Sequence, residues 1–130
     1  MCNQKKTQGH RLKEITLDFL VEEKLEINQC TDFLESMVEV IETELVSLSV
    51  NNLPPGFDIL VGIKESCIYF GYWGEYNYVH MIISSCRDFD TEKVESWVKS
   101  YFGSQPTVRY HNDHKVVDIV EKLKCKKKQT

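Results

Sequence analysis

Long apolar runs are missing from this sequence: no window approaches the ~18 uninterrupted apolar residues that a membrane-spanning helix requires. The first residues, MCNQKKTQGHR, contain no apolar stretch suited to a secretion signal. The expectation is a cytoplasmic protein without integral membrane contact, with Cys2 an ordinary residue rather than the start of a bacterial lipoprotein. Cysteine pairs at CxxC spacing are also missing. The five cysteines, Cys2, Cys30, Cys67, Cys86 and Cys125, are odd in number and widely spread, which argues against a secreted disulfide framework or a thiolate zinc site. There is no glycine-rich phosphate loop, no dinucleotide fingerprint and no GxSxG. Gly71-Tyr-Trp-Gly74 lacks the strand-to-helix setting that a phosphate loop needs.

Basic residues are scarce where nucleic acid would need them. Residues 57–85 carry most of the chain's tyrosine and one basic side chain of the Lys or Arg type, Lys64, whereas a stacking platform requires interleaved cations. The net charge of −4 conceals a strong segregation. Residues 1–13 hold four cations and no anion, and residues 114–130 hold six cations against two anions, which leaves −12 over residues 14–113. Within 14–48 Lys24 is the one base among ten carboxylates. Such a body repels nucleic acid and anionic membrane and steers toward a basic protein surface. Solvated helix faces would produce the same pattern.

What is present, at 130 residues, is enough chain for one domain that buries roughly two-thirds of its unfolded surface without disulfides or metal. Arg11 to about Asn28 is read as helix from its Leu, Glu and Lys, although Ile15, Leu17, Phe19 and Val21 alternate with a strand's period of two. Thr31 or Asp32 then caps an amphipathic helix with the stripe Phe33, Leu34, Met37, Val38, Ile41, Leu45 and Leu48, ending near Asn51-Asn52. Three strands follow: Phe57 to Ile63, Ser66 to Trp73 and Tyr76 to about Ser85, joined at Lys64-Glu65 and Gly74-Glu75. Asp90 caps a helix carrying Val94, Trp97, Val98, Tyr101 and Phe102, stopped by Gly103. Pro106 to Tyr110 suggests a short edge strand, and Asp113 a cap for a last helix striped by Val116, Val117, Val120 and Leu123. The expected class is α+β: an antiparallel meander sheet of three to four strands packed by amphipathic helices, in the order ααβββαβα. It forms a single domain over 11–124 between a disordered tail at 1–10 and a basic tail at 125–130. That order is similar in outline to several small α+β folds, including the acidic dimeric chaperones of bacterial secretion systems, a likeness of element order alone.

The stretch CIYFGYWGEYNYVHM, residues 67–81, raises the functional question. Alternation sorts it into two faces. Ile68, Phe70, Tyr72, Val79 and Met81 join Phe57, Ile59, Val61 and Ile63 as core. Asp58, Tyr69, Trp73, Tyr76, Tyr78 and His80 fall on the reverse face, around a shallow gap expected where Gly62 and Gly71 bear no side chain. A two-residue loop at Gly74-Glu75 pairs Trp73 with Tyr76, Gly71 with Tyr78 and Tyr69 with His80. A helix of this chain, a second copy or a partner could cover that face. Tyr and Trp with their large contact area and polar tips suit a binding surface.

Other constellations are weaker. His111-Asn112-Asp113-His114 is the nearest pattern to a metal motif, with His114 and Asp118 able to share a helix face, but no second cluster supplies further ligands, and the expectation is no metal and no cofactor. His80 and Cys86 lie too far apart along a strand for nucleophilic catalysis, so no catalytic residue is assigned. Cys125 within KLKCKKK could accept a lipid, but a solvated tail explains the segment. The leading reading is a small acidic protein-binding module, of inhibitor, immunity-protein or chaperone type, that occludes a basic partner surface. Tyr69, Trp73 and Tyr78 would anchor it and Glu35, Glu39 and Glu42 would steer it. The alternatives are a small-molecule binder or minor enzyme with a pocket near Gly62 and Gly71, using Asp58 and His80, and a homodimer formed through the aromatic face.

Overall fold

In a computed structural model, which describes residues 10–128, alternation overrides helix propensity at the start of the chain. Arg11–Leu20 is a strand, β1, with Ile15, Leu17 and Phe19 fully or almost fully buried and Glu14, Thr16 and Asp18 turned the other way. The expected first helix therefore does not exist. The hydrophobic gain from putting three large side chains into one core exceeds the few tenths of a kcal/mol per residue that separate helix formers from strand formers. Expectations for residues 1–9, Cys2 included, lie outside the described residues.

The rest of the order is α1 (Ile27–Val40), β2 (Leu45–Leu53), β3 (Gly56–Ile63), β4 (Ser66–Trp73), β5 (Tyr78–Ser85), α2 (Thr91–Phe102), β6 (Thr107–Lys115) and α3 (Val116–Lys128). All six strands join one antiparallel sheet in the order β2-β3-β4-β5-β1-β6, where three or four were expected. Two strands lay inside segments assigned to helices. α1 begins earlier than Thr31 or Asp32, with the Gln29 side chain accepting from the Glu26 N–H at 3.4 Å. It ends at Val40, before Leu45 and Leu48. Glu42 takes a left-handed backbone (φ 57°), and the Thr43 N–H returns to the Val38 carbonyl at 3.0 Å. That turn releases Leu45–Leu53 to pair with β3.

β6 is longer than the edge strand expected and includes His111 to His114. Asp113 caps no helix; it accepts from Arg11 Nε at 2.8 Å across the sheet. α2 is framed as its sequence suggests: Asp90 accepts from the N–H groups of Glu92 and Lys93, and Gly103 ends the helix at φ 73°. β5 opens at Tyr78 because Gly74–Asn77 form a four-residue turn. Trp73 consequently pairs with Tyr78, Gly71 with His80 and Tyr69 with Ile82. The register differs from the expected one by two residues, which leaves the side chains from Tyr78 to Ser85 on their assigned faces and moves Tyr76 into the turn. Asn77, left-handed at φ 48°, is held by the Tyr72 hydroxyl, which donates to Asn77 Oδ1 at 2.8 Å.

α1 and α2 cover one face of the sheet. Phe33 sits 4.7 Å from Phe102 and 6.0 Å from Phe70 between ring centroids, and Leu34, Met37, Val38, Val94 and Val98 fill the layer. Lys13 is the exception in this core. Its stem is buried and its Nζ, 4.6 Å from the Phe89 ring centroid, donates to Asp88 Oδ1 at 2.9 Å and to the Phe89 carbonyl. Beyond the Lys64-Glu65 turn, Arg87 reaches Glu65 and donates to the Ile41 and Glu42 carbonyls, which ties the end of α1 to the sheet. Cys86 is disulfide-bonded. No helix among the described residues is long and apolar enough to cross a membrane. Phe70→Ala empties a fully buried site and should lower stability by about 3–5 kcal/mol in urea titration. Val46→Ala on exposed β2 should stay within about 0.5 kcal/mol, and equal costs would contradict this core.

Candidate functional site

The reverse face of the sheet is not covered by α1 or α2, and α3 has no buried residue among those described. Its rows follow from the strand registers. One row crosses the sheet as Asn51, Asp58, Gly71, His80, Asp18 and Thr107. On one side of it stand Trp73, Tyr78 and Leu20, and on the other Leu60, Tyr69, Ile82, Thr16 and Tyr110. A polar line thus runs across an aromatic and aliphatic surface, with about 4.8 Å between successive strands.

Asp18 is the hub of that line. Its Oδ1 accepts from the Tyr78 hydroxyl and faces His80 Nδ1 at 2.9 Å, and its Oδ2 accepts from Arg109 Nε at 2.9 Å. Burial alone would raise the Asp18 carboxyl, but the bonds from Tyr78 and His80 and the charge of Arg109 outweigh it and hold the carboxyl below its usual range. Burial, then Asp18 itself, pushes the Tyr78 phenol up. Tyr69 is raised by burial and by Asp58, to whose Oδ2 it donates at 3.5 Å. The Tyr69 and His80 rings lie 6.5 Å apart and those of Trp73 and Tyr78 5.4 Å apart.

A groove of about 250 Å³ opens at the Trp73 end, walled by Pro54, Pro55, Asp58, Tyr69, Trp73 and Glu75, with no Lys, Arg or His among its lining residues. Its rim is made by two touching turns. A Cβ on Gly56 would lie 2.0 Å from the Tyr72 carbonyl oxygen, and one on Gly74 1.9 Å from that of Pro55. Only glycine permits the two turns to approach so closely.

The structure gathers Asp58, Tyr69, Trp73, Tyr78 and His80 into one surface and leaves the other candidates out. Tyr76 stands 72% exposed on the turn. Glu35 and Glu39 are on α1 and Glu42 follows it, on the far side of the sheet. The gap expected over Gly62 and Gly71 is closed at Gly62, where a Cβ would meet Ser47 Oγ at 2.4 Å; Gly71 lines the groove, with the Tyr69 hydroxyl and Trp73 Cζ3 at 2.7 and 2.9 Å from where its Cβ would lie. Residues that the sequence reading missed are Asp18, Arg109, Glu75 and the two prolines. Asp18 could have been found from the Ile15, Leu17, Phe19 alternation. Arg109 could not, because a bulge between Thr16 and Leu17 sets its position. Among the described residues no three His, Cys, Asp or Glu side chains converge as a metal site.

Comparisons place these observations in context. A sequence model of the S-adenosylmethionine decarboxylase family matches residues 16–114, more than half of the chain. The fold is similar to that in the crystal structure of the adenosylmethionine decarboxylase from Aquifex aeolicus VF5, with TM-score 0.60, 14% identity, and cover of 82% of this chain and 88% of that one. No curated protein matches. The family match overturns the expectation of an inhibitor-like protein-binding module engaging a partner through the acidic helix residues, the aromatic sheet face, or both. These lie on opposite sides of the sheet.

Acid should test the hub. A carboxyl whose folded pKa is depressed adds stability that is present above its unfolded value, about 3.9, and lost as pH falls through the folded value. Wild type should therefore lose urea resistance as pH falls below the ordinary carboxylate range. Asp18→Asn should be weaker at pH 7 and lose less on acidification; parallel curves for the two proteins would remove Asp18 from this role.

Proposed function

The chain belongs to the S-adenosylmethionine decarboxylase family, and on that premise we propose that it binds S-adenosylmethionine on the open face of its sheet and acts on the amino-acid end of that molecule. The ligand combines an adenine ring, a sulfonium cation and an α-amino acid. The observation that carries the reading is the groove in which Trp73 and Tyr69 stand beside the Asp58 and Glu75 carboxylates. Aromatic faces stack on adenine and attract a sulfonium, and carboxylates without competing cations favour a positively charged ligand. The −12 balance over residues 14–113 acts in the same sense.

Loss of CO2 from an α-amino acid leaves an electron pair that side chains do not delocalise, so the reaction draws on electron-accepting chemistry of the kind cofactors supply. No lysine of a described strand points to the open face: Lys13 is turned into the core, Lys115 pairs with Arg11 on that same side, and Lys64 lies in the β3–β4 turn. A lysine-anchored carbonyl cofactor does not fit this surface. Calorimetry with S-adenosylmethionine and release of labelled CO2 from the carboxyl-labelled compound test the reading. Trp73→Ala should weaken binding about tenfold, the order of one lost stacking contact, and wild type that binds no S-adenosylmethionine at millimolar concentration would refute it.

A second copy is a further candidate for the same face. It is favoured by Leu60, Tyr110 and Leu20, which are 50%, 51% and 65% exposed on the open face. Sedimentation at two concentrations should show a dimer that Leu60→Glu abolishes; a monomer at both would dismiss it.

A further inference from the structure

The Asp18 carboxylate dictates what His80 can do. A carboxylate is an acceptor, so the 2.9 Å contact to Nδ1 requires the proton on that nitrogen. In the neutral ring this leaves the Nε2 lone pair free of its own proton. Asp18 is itself fixed by the Tyr78 hydroxyl and Arg109 Nε, and the His80 and Asp18 side chains are only 19% and 17% exposed. A base, a carboxylate that sets its tautomer and further donors that fix the carboxylate make up the arrangement used in general acid–base chemistry. His80 stands directly across from Gly71 in the β4–β5 pairing, so no side chain at that position separates it from the Tyr69 and Trp73 rings. The groups nearest it are Asp18 from β1, Tyr78 from its own strand and Tyr69 from β4, with Asp58 from β3 and Arg109 from β6 beyond them.

We propose that His80 is the proton acceptor for the α-ammonium of an amino-acid ligand held on the open face, with Asp18 as its positioning residue. The proposal rests on the reading of S-adenosylmethionine as that ligand. An α-ammonium has no lone pair and cannot act as a nucleophile. In the transfer one N–H bond of the ammonium breaks and its electron pair stays on the amine nitrogen. A new bond forms between the proton and Nε2, and the positive charge moves from ligand to imidazole, where it lies against the Asp18 carboxylate. The imidazolium keeps the proton while the ligand is bound and gives it to water once the ligand has left. Nothing is oxidised or reduced, and no co-reactant is required.

Imidazole nitrogen resonances of 15N-labelled protein test this, with His80→Gln identifying the signals. In the free protein the neutral His80 ring should carry its proton on Nδ1. S-adenosylmethionine should convert it to the doubly protonated form, whereas 5′-methylthioadenosine, which lacks the ammonium, should quench Trp73 fluorescence and leave the His80 signals in place. Asp18→Asn should erase both the Nδ1 preference and the response. If S-adenosylmethionine quenches Trp73 but leaves the His80 nitrogens unchanged, or if methylthioadenosine shifts them equally, the proposal is overturned while the binding reading stands. If neither ligand affects Trp73, both fall together.

Discussion

Pairing along both edges of β1 is the constraint on which this structure depends. The strand hydrogen-bonds to β5 on one side and β6 on the other, so it joins the β2 to β5 meander to the last third of the chain. Its alternation also commits its side chains. Ile15, Leu17 and Phe19 must enter the helix-covered layer, and that places Thr16 and Asp18 on the open face whatever their own preference. The Asp18 carboxylate is partly desolvated there. Tyr78 and His80 from β5 and Arg109 from β6 offset that cost, each from a strand β1 itself recruits.

The parts of the fold legible in the sequence were those set by local chemistry. Asp90 and Gly103 bound α2, the Lys64-Glu65 turn joins β3 to β4, and alternation within each of β3, β4 and β5 separates core from open face. Long-range competition hid the rest. Residues 11–20 carry helix-favouring side chains and become a strand because two neighbours are available to pair with it. Leu45 and Leu48 fit the period of the preceding helix, and the backbone reversal at Glu42 that breaks this continuity uses no glycine or proline.

The site was legible by half, for the same reason. Tyr69, Trp73, Tyr78, His80 and Asp58 share a face by parity, and parity survives a two-residue error in register. The groups that fix the His80 tautomer come from strands 62 and 29 residues away in sequence, and one of those strands has helix-favouring side chains. A missing side chain is not by itself empty space, because neighbours move into the volume it leaves. In the fold, Ser47 and the Tyr69 and Trp73 rings occupy the volume that Gly62 and Gly71 vacate.

The contact between the Pro55-Gly56 and Gly74 turns has a consequence for how this surface can diversify. Neither glycine can accept even a methyl group without backbone displacement, so the width of the groove mouth is closed to adjustment by point substitution there. Selectivity among related ligands can shift through Leu53, Trp73 and Glu75, whose side chains project from the two turns and strand ends without separating them. The groove is in this sense a fixed frame with exchangeable panels. Because its two sides are already in contact, a ligand that enters it has little backbone left to order.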